Sequence, residues 1–399
     1  MGRSISFQEA TALARSGNAE VQYALSRELH QRGKFDESMR WLRLAAAQKL
    51  TSAQITLAIC LIDGRHCQRD HQRAIELLQP LAASDIQAAI LMSELYGFAV
   101  TGIGDRKTGL RYLLGAAQMG DAAALRQLGL LCVCHERWDL VRPLLSASAV
   151  RGDSAGAYAL ACCRAEGIEG PPAPTIDWAL LDRSIPQLAS ALRLSTPKIL
   201  SITPLIQQFS KVFHPVVLKT LMNLAAPLVT RSQIVDARTG EMRADPMRNS
   251  CHVTLGPRQH DHVLEALERC MSYVSGLPVL NGEFIQILRY RVGEEFKPHV
   301  DYFNESGASA YLSLAEGGQR VQTLLTYLND DYSGGSTHFP LLNLTVAGRR
   351  GDMLHFHNVS ANGLGHKDSL HAGKPVTAGE KWLLSKWIRA EPYPPRMRW

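Results

Sequence analysis

The chain has 399 residues, enough for two or three domains that each bury their own core. Hydrophobic residues make up 46% and charged residues 20%, the balance of a folded chain and not of a disordered one. A formal net charge of +6 without a dense Lys/Arg run argues against nucleic acid as a partner, and no apolar stretch approaches the roughly 18 residues of a membrane span.

The opening MGRSISFQEATALARSG lacks the apolar core of a signal peptide, so a cytoplasmic location is expected. Cys60, Cys67, Cys132, Cys134, Cys162, Cys163, Cys251 and Cys270 show neither a C-x-x-C framework nor zinc-finger spacing. They read as buried thiols in a reducing compartment.

Five segments of the first half repeat one theme: GNAEVQYAL, LTSAQITLA, SDIQAAILM, GDAAALRQL and GDSAGAYAL. Aligned on Val21, Ala53, Ala88, Ala124 and Gly156, they recur at intervals of 32, 35, 36 and 32 residues. A period of this length marks helix-turn-helix solenoid repeats, in which each hairpin buries its apolar face against its neighbours. The small aligned residue lets two helices approach closely. Between the anchors, 35–47 and 71–82 carry apolar residues at helical spacing and supply the second helices. The pattern resembles Sel-one-like repeats, relatives of the tetratricopeptide repeat, over residues 1–165.

AEGIEGPPAPTID, 165–177, breaks the period with three prolines and two glycines. A linker is placed at 166–196, and the texture beyond it changes. Helices are predicted at 214–227 and 261–275, the latter with Val263, Leu267, Met271 and Val274 on one face. FIQILRYRV (284–292), VQTLLTYLN (321–329), DMLHFHNV (352–359) and KWLLSKWIR (381–389) read as short strands bounded by turn residues. Strands of this kind build a sandwich or barrel, giving an α+β domain behind an all-α solenoid.

Within PHVDYF, His299 and Asp301 stand two positions apart, so extended backbone points both side chains the same way and lets them grip one metal ion. His371 supplies a third donor. Two histidines and one carboxylate form the facial triad that leaves three positions of iron(II) open, enough for a bidentate 2-oxo acid and dioxygen. By itself His-x-Asp is a frequent surface pair, and only the surrounding arrangement gives it weight.

Ten residues after His371, strand alternation puts Lys381, Leu383, Ser385 and Trp387 on one face. Two readings of Lys381 stand. At a strand end its ammonium can snorkel to water. Beside the triad it would be buried, and the distal carboxylate of 2-oxoglutarate would then be its partner. His355 and His357 share the i, i+2 spacing but have no carboxylate between them, and they read as structural, as do His338 and His366.

YRVGEEFKPHVDYF, RVQTLLTYLNDDYSGGSTHFP and SLHAGKPVTAGEKW follow one another as in prolyl 4-hydroxylase-like dioxygenases. The chain resembles that family over residues 197–391, with a short tail at 392–399, and MRNS (247–250) and GEFIQILRY (282–290) extend the likeness upstream. The resemblance implies a double-stranded β-helix, or jelly roll, with His299, Asp301 and His371 as iron ligands and catalytic centre. It implies Lys381 on the distal carboxylate of 2-oxoglutarate, and Tyr290 and Thr337 as further co-substrate contacts. Tyr327 and Trp387 would face the same pocket, although an inward aromatic in a sandwich also serves as core. Arg320 matches an arginine of the family's substrate site; a salt-bridged surface arginine is the competing reading.

The cofactor and co-substrates so implied are Fe(II), 2-oxoglutarate and O2, with ascorbate left open as an accessory reductant. Because Asp301 is retained where related halogenases carry a small residue, hydroxylation is the expected outcome. The expected acceptor is a prolyl residue in a protein or peptide held partly by the repeats; another side chain, a free amino acid or a small metabolite is the alternative. A catalytically inactive repeat-based adaptor is opposed by the intact triad and Lys381.

Overall fold

In the computed structural model, residues 7–168, 175–235, 242–244, 247–303 and 313–393 are described. Beyond Tyr393 the tail expected at 392–399 lies outside them.

Helices come first: α1 (Phe7–Arg15), α2 (Ala19–Gln31), α3 (Phe35–Ala47), α4 (Thr51–Asp63), α5 (His71–Leu78), α6 (Ile86–Gly97), α7 (Arg106–Gln118), α8 (Ala122–Cys134), α9 (Trp138–Val150) and α10 (Ser154–Ala165). The repeat theme has a local cause. Gly17, Gly120 and Gly152 adopt positive φ, a turn that glycine enters without strain. The next residue, Asn18, Asp121 or Asp153, then accepts a hydrogen bond from a backbone N–H of the following helix and starts it. Ala53, Ala88 and Ala124 are fully buried, as close helix approach requires. A Cβ on Gly156 would collide with Ser148 of α9, and one on Gly109 of α7 would strike the backbone of Gly97 in α6. The second helix expected at 71–82 ends at Leu78, because Pro80 cannot donate to the preceding turn.

The chain forms two compact units, one running to Ala124 and the other from Leu125 onward. Within the second, α10 packs against α12 (Pro215–Ala225). Lys219 of α12 reaches Glu166 at 2.5 Å, and Gln127 of α8 accepts a hydrogen bond from His262 N at 3.0 Å. The segment expected as linker contains a further helix, α11 (Trp178–Leu188), which Asp177 caps and which buries Leu181, Ile185 and Leu188. Gly167, at positive φ, ends α10 with its N–H donating to Arg164 O, and an apolar stripe starts a new helix only after Asp177.

Strands follow: β1 (Lys198–Ile202), β2 (Leu205–Phe209), β3 (Thr230–Arg231), β4 (Gln233–Val235), β5 (Met242–Ala244), β6 (Cys251–Leu255), β7 (Ile285–Tyr290) and β8 (Phe296–His299). Then come β9 (Arg320–Tyr327), β10 (Ser333–Gly334), β11 (Thr337–Phe339), β12 (Leu344–Val346), β13 (Met353–His357), β14 (His371–Gly373), β15 (Val376–Ala378) and β16 (Lys381–Arg389). An eight-stranded sheet has the order β1-β2-β13-β9-β16-β7-β6-β3, and a four-stranded sheet the order β12-β11-β14-β8. The non-sequential order is that of the expected jelly roll. Its core joins Leu288, Tyr290, Leu325, Tyr327, Phe356 and Leu383 of the large sheet to Phe339 and Val346 of the small one.

Helix α13 (His262–Ser275), capped by Asp261, buries more than its predicted apolar face. Glu265 and Glu268 are buried too. Glu265 pairs with His260 at 3.1 Å and Arg269 at 2.7 Å, and Glu268 with Lys386 of β16 at 2.7 Å. Every residue of β16 is therefore buried, on both faces. No helix among the described residues is long and apolar enough to cross a membrane, and none of the eight cysteines is in a disulfide.

Candidate active site

The site sits on the small sheet, where β8 and β14 run antiparallel and place His371 directly opposite His299. The two imidazole centroids are 4.3 Å apart. β8 ends at His299, and Asp301 lies just beyond it in a bend. Its carboxylate still reaches both rings: Oδ1 is 3.6 Å from His299 Nε2, and Oδ2 is 3.6 Å from His371 Nε2.

Backbone carbonyls set the tautomers. His299 Nδ1–H donates to Lys297 O at 2.7 Å and His371 Nδ1–H to Ser369 O at 3.0 Å, which leaves both Nε2 lone pairs aimed at the shared point. Burial, reinforced by His371, pushes His299 down to about 4, so its ring is neutral at physiological pH. Burial alone would raise Asp301, but His371, His299 and a hydrogen bond from Thr323 outweigh it and hold the carboxyl below the ordinary range. All three donor atoms lie within 4.8 Å of one another. Two imidazoles and one carboxylate are a donor set that fits ferrous iron.

The pocket beside these donors is lined by Arg248, Tyr290, Phe296, Thr337, Lys381, Leu383, Ser385 and Trp387, among others. Lys381, paired in register with Tyr290, is 2% exposed. Its ammonium donates to Gly335 O at 2.7 Å and lies 5.5 and 5.4 Å from the ring centres of Tyr290 and Tyr327. No carboxylate among the described residues pairs with it, and burial lowers its pKa to about 7. The snorkelling reading of Lys381 is thus excluded by its depth. Trp387 also presents a buried Nε1–H with no partner among the described residues. A buried ammonium and an unused donor suit a dicarboxylate.

Tyr327 and Arg320 do not line this pocket. Tyr327 is fully buried beneath it, with its hydroxyl 2.9 Å from Thr337 Oγ1 and its pKa pushed up to about 12 by burial. Arg320 forks onto Glu283 at 2.6 and 2.9 Å and stacks 3.8 Å over the Trp387 ring. Glu283 also receives Arg389 at 2.6 Å. His355 is held by Gln207 at 2.8 Å and Gln322 at 2.7 Å, with burial lowering it to about 3, and is a structural histidine.

Local patterns did not reveal Phe296, stacked 3.5 Å from the His299 ring, or the Thr323 and Asn358 side chains behind Asp301. Arg248 was visible only as part of MRNS. Its guanidinium lies over Phe296, and the two residues form an isolated bridge.

Two histidines and an aspartate converging on one point of a jelly roll, with a buried ammonium across the pocket, are what a non-haem iron, 2-oxoglutarate-dependent dioxygenase requires. Residues 285–389 match the 2OG-Fe(II) oxygenase superfamily. Prolyl 4-hydroxylase 1 of Arabidopsis thaliana is 33% identical over 217 residues, 50% of this chain and 75% of that protein. Prolyl 4-hydroxylase 5 of the same plant is 34% identical over 192 residues, 43% of this chain and 64% of that protein. The chain belongs to this oxygenase superfamily and is a homologue of the prolyl 4-hydroxylases. The family acts with Fe(II), 2-oxoglutarate and O2. Among solved structures, a viral collagen prolyl hydroxylase of Paramecium Bursaria Chlorella virus-1, in its 2OG complex, matches with a TM-score of 0.36 and 23% identity over 46% of this chain and 96% of that one. A Sel1 repeat protein from Oxalobacter formigenes matches with a TM-score of 0.36 and 22% identity over 46% of this chain and 77% of that one.

Proposed function

We propose that this protein hydroxylates a prolyl residue of a protein or peptide in the cytoplasm, coupling the reaction to decarboxylation of 2-oxoglutarate to succinate. One atom of dioxygen enters succinate and the other the hydroxyl group. The observation that carries this reading is the convergence of His299, Asp301 and His371 beside a buried lysine that no carboxylate among the described residues neutralises.

His299, Asp301 and His371 would hold ferrous iron, which supplies the activation of dioxygen. Lys381 anchors the distal carboxylate of 2-oxoglutarate, with Tyr290 and Thr337 beside it and Tyr327 fixing Thr337 from below. Trp387 offers its free N–H to the co-substrate. Arg320, held by Glu283, stiffens the Trp387 wall where the acceptor enters. The helical repeats of residues 1–165 recruit the substrate for the oxygenase domain of 197–391, and ascorbate serves as reductant when turnover is uncoupled. The prolyl acceptor is favoured by the likeness to the plant prolyl 4-hydroxylases.

The test is succinate release with proline-containing peptides against free amino acids, with mass spectrometry for a gain of one oxygen on proline. His299→Ala and His371→Ala are expected to abolish iron-dependent turnover. Normal turnover in both variants would overturn the ligand assignment, and a preference for free amino acids would overturn the acceptor.

A further inference from the structure

Asp301 is the one member of the triad that brings two oxygens to the metal. A carboxylate that chelates through both would consume a position the 2-oxo acid and dioxygen need, so something has to hold it to one.

Thr323 stands in the middle of β9, opposite Phe356 of β13 and Trp387 of β16, and is fully buried. Its hydroxyl lies 2.7 Å from Asp301 Oδ2. An ionised carboxylate only accepts, so the hydroxyl donates. From behind, Asn358 Nδ2 donates to the same hydroxyl oxygen at 2.9 Å. With that lone pair occupied, the Thr323 proton points at Asp301.

Asn358 is placed as firmly. It follows the last residue of β13, its N–H donates to Val321 O at 2.9 Å, and its carbonyl accepts from His366 N at 2.8 Å. The side chain is fully buried, yet Oδ1 has no partner among the described residues. A half-satisfied buried amide is destabilising, and packing alone gives no reason to keep one. The hydrogen bond to Thr323 gives one.

We infer that Thr323, aimed by Asn358, is a positioning residue that ties up Asp301 Oδ2 and leaves Oδ1 as the single metal-ligating oxygen. This rests on the iron site proposed above. The pair acts through Asp301 and touches neither metal nor substrate.

The test uses the full chain loaded with Co(II), reading the dissociation constant and the visible ligand-field spectrum, which reports coordination number. Thr323→Val keeps the shape and removes the hydroxyl. It is expected to weaken Co(II) binding by about 10- to 100-fold and to alter the spectrum, as loss of a hydrogen bond behind a ligand does. Thr323→Ser restores both readings, and Asn358→Leu moves the spectrum in the same direction as Thr323→Val. A Thr323→Val protein with wild-type affinity and spectrum overturns the inference, and so does a Thr323→Ser protein as impaired as Thr323→Val. Failure of the wild-type chain to bind Co(II) at all overturns the iron site itself and the inference with it.

Discussion

Replacing Lys381 by methionine separates its two effects by sign. The side chain is 2% exposed, its ammonium has one carbonyl partner, and burial takes its pKa from the ordinary 10.5 to about 7. That drop corresponds to roughly 4–5 kcal/mol held against the ammonium below pH 7. Methionine keeps the volume without the charge. The metal-free Lys381→Met protein is therefore expected to be more stable than wild type at pH 6, by up to a few kcal/mol in denaturant unfolding. The same change leaves a buried carboxylate of 2-oxoglutarate without its counter-charge, which costs about 2–5 kcal/mol, or roughly 30-fold and upward in dissociation constant. Calorimetric titration of 2-oxoglutarate into Mn(II)-loaded protein without dioxygen measures this loss. A variant that is less stable than wild type, or that binds 2-oxoglutarate unchanged, would refute the reasoning.

Two further outcomes are expected. Because the folded pKa of Lys381 lies below its unfolded value, the unfolded chain holds more protons between about pH 7 and 10.5, and stability rises with pH across that window; 2-oxoglutarate affinity runs the other way, weakening up to about tenfold per pH unit above 7 as the ammonium is lost, and a flat profile from pH 7 to 9 would contradict the pairing. On the opposite face of β16, Glu268→Leu or Lys386→Met alone breaks a buried ion pair and is expected to cost about 3–5 kcal/mol in chemical unfolding, whereas the double variant recovers most of it; additive losses would show that the ion pair is not the cause.

The repeat array was legible because its information is periodic. Four of the five segments share a small residue at the aligned position, three carry a glycine turn followed by an N-capping side chain, and each of these acts within a few residues of itself. The four strand segments and both helices of the oxygenase were legible for the same reason, and KWLLSKWIR matches β16 at both ends. The triad was legible through its motif and not through spacing, since His371 meets His299 only when β14 lies beside β8. Other features were hidden because they join distant segments. Thr323 reaches Asp301 from β9, Asn358 backs Thr323 from just beyond β13, and Glu283 gathers Arg320 and Arg389 across the sheet. Helix α11 has a weak signature because three prolines precede it and its short apolar stripe begins afresh after Asp177. Lys386 does carry a signal in the sequence: a charged residue between Leu384 and Ile388 on one face of a strand asks for a buried partner, and Glu268 on α13 provides it.

The packing of α10 on α12 separates where the chain changes character from where it can be divided. A cut at the compositional break after Ala165 would strip α12 of the helix α10 that packs against it. Any autonomous catalytic fragment has to begin upstream of Gln127, carrying three helices that by their composition belong to another kind of architecture.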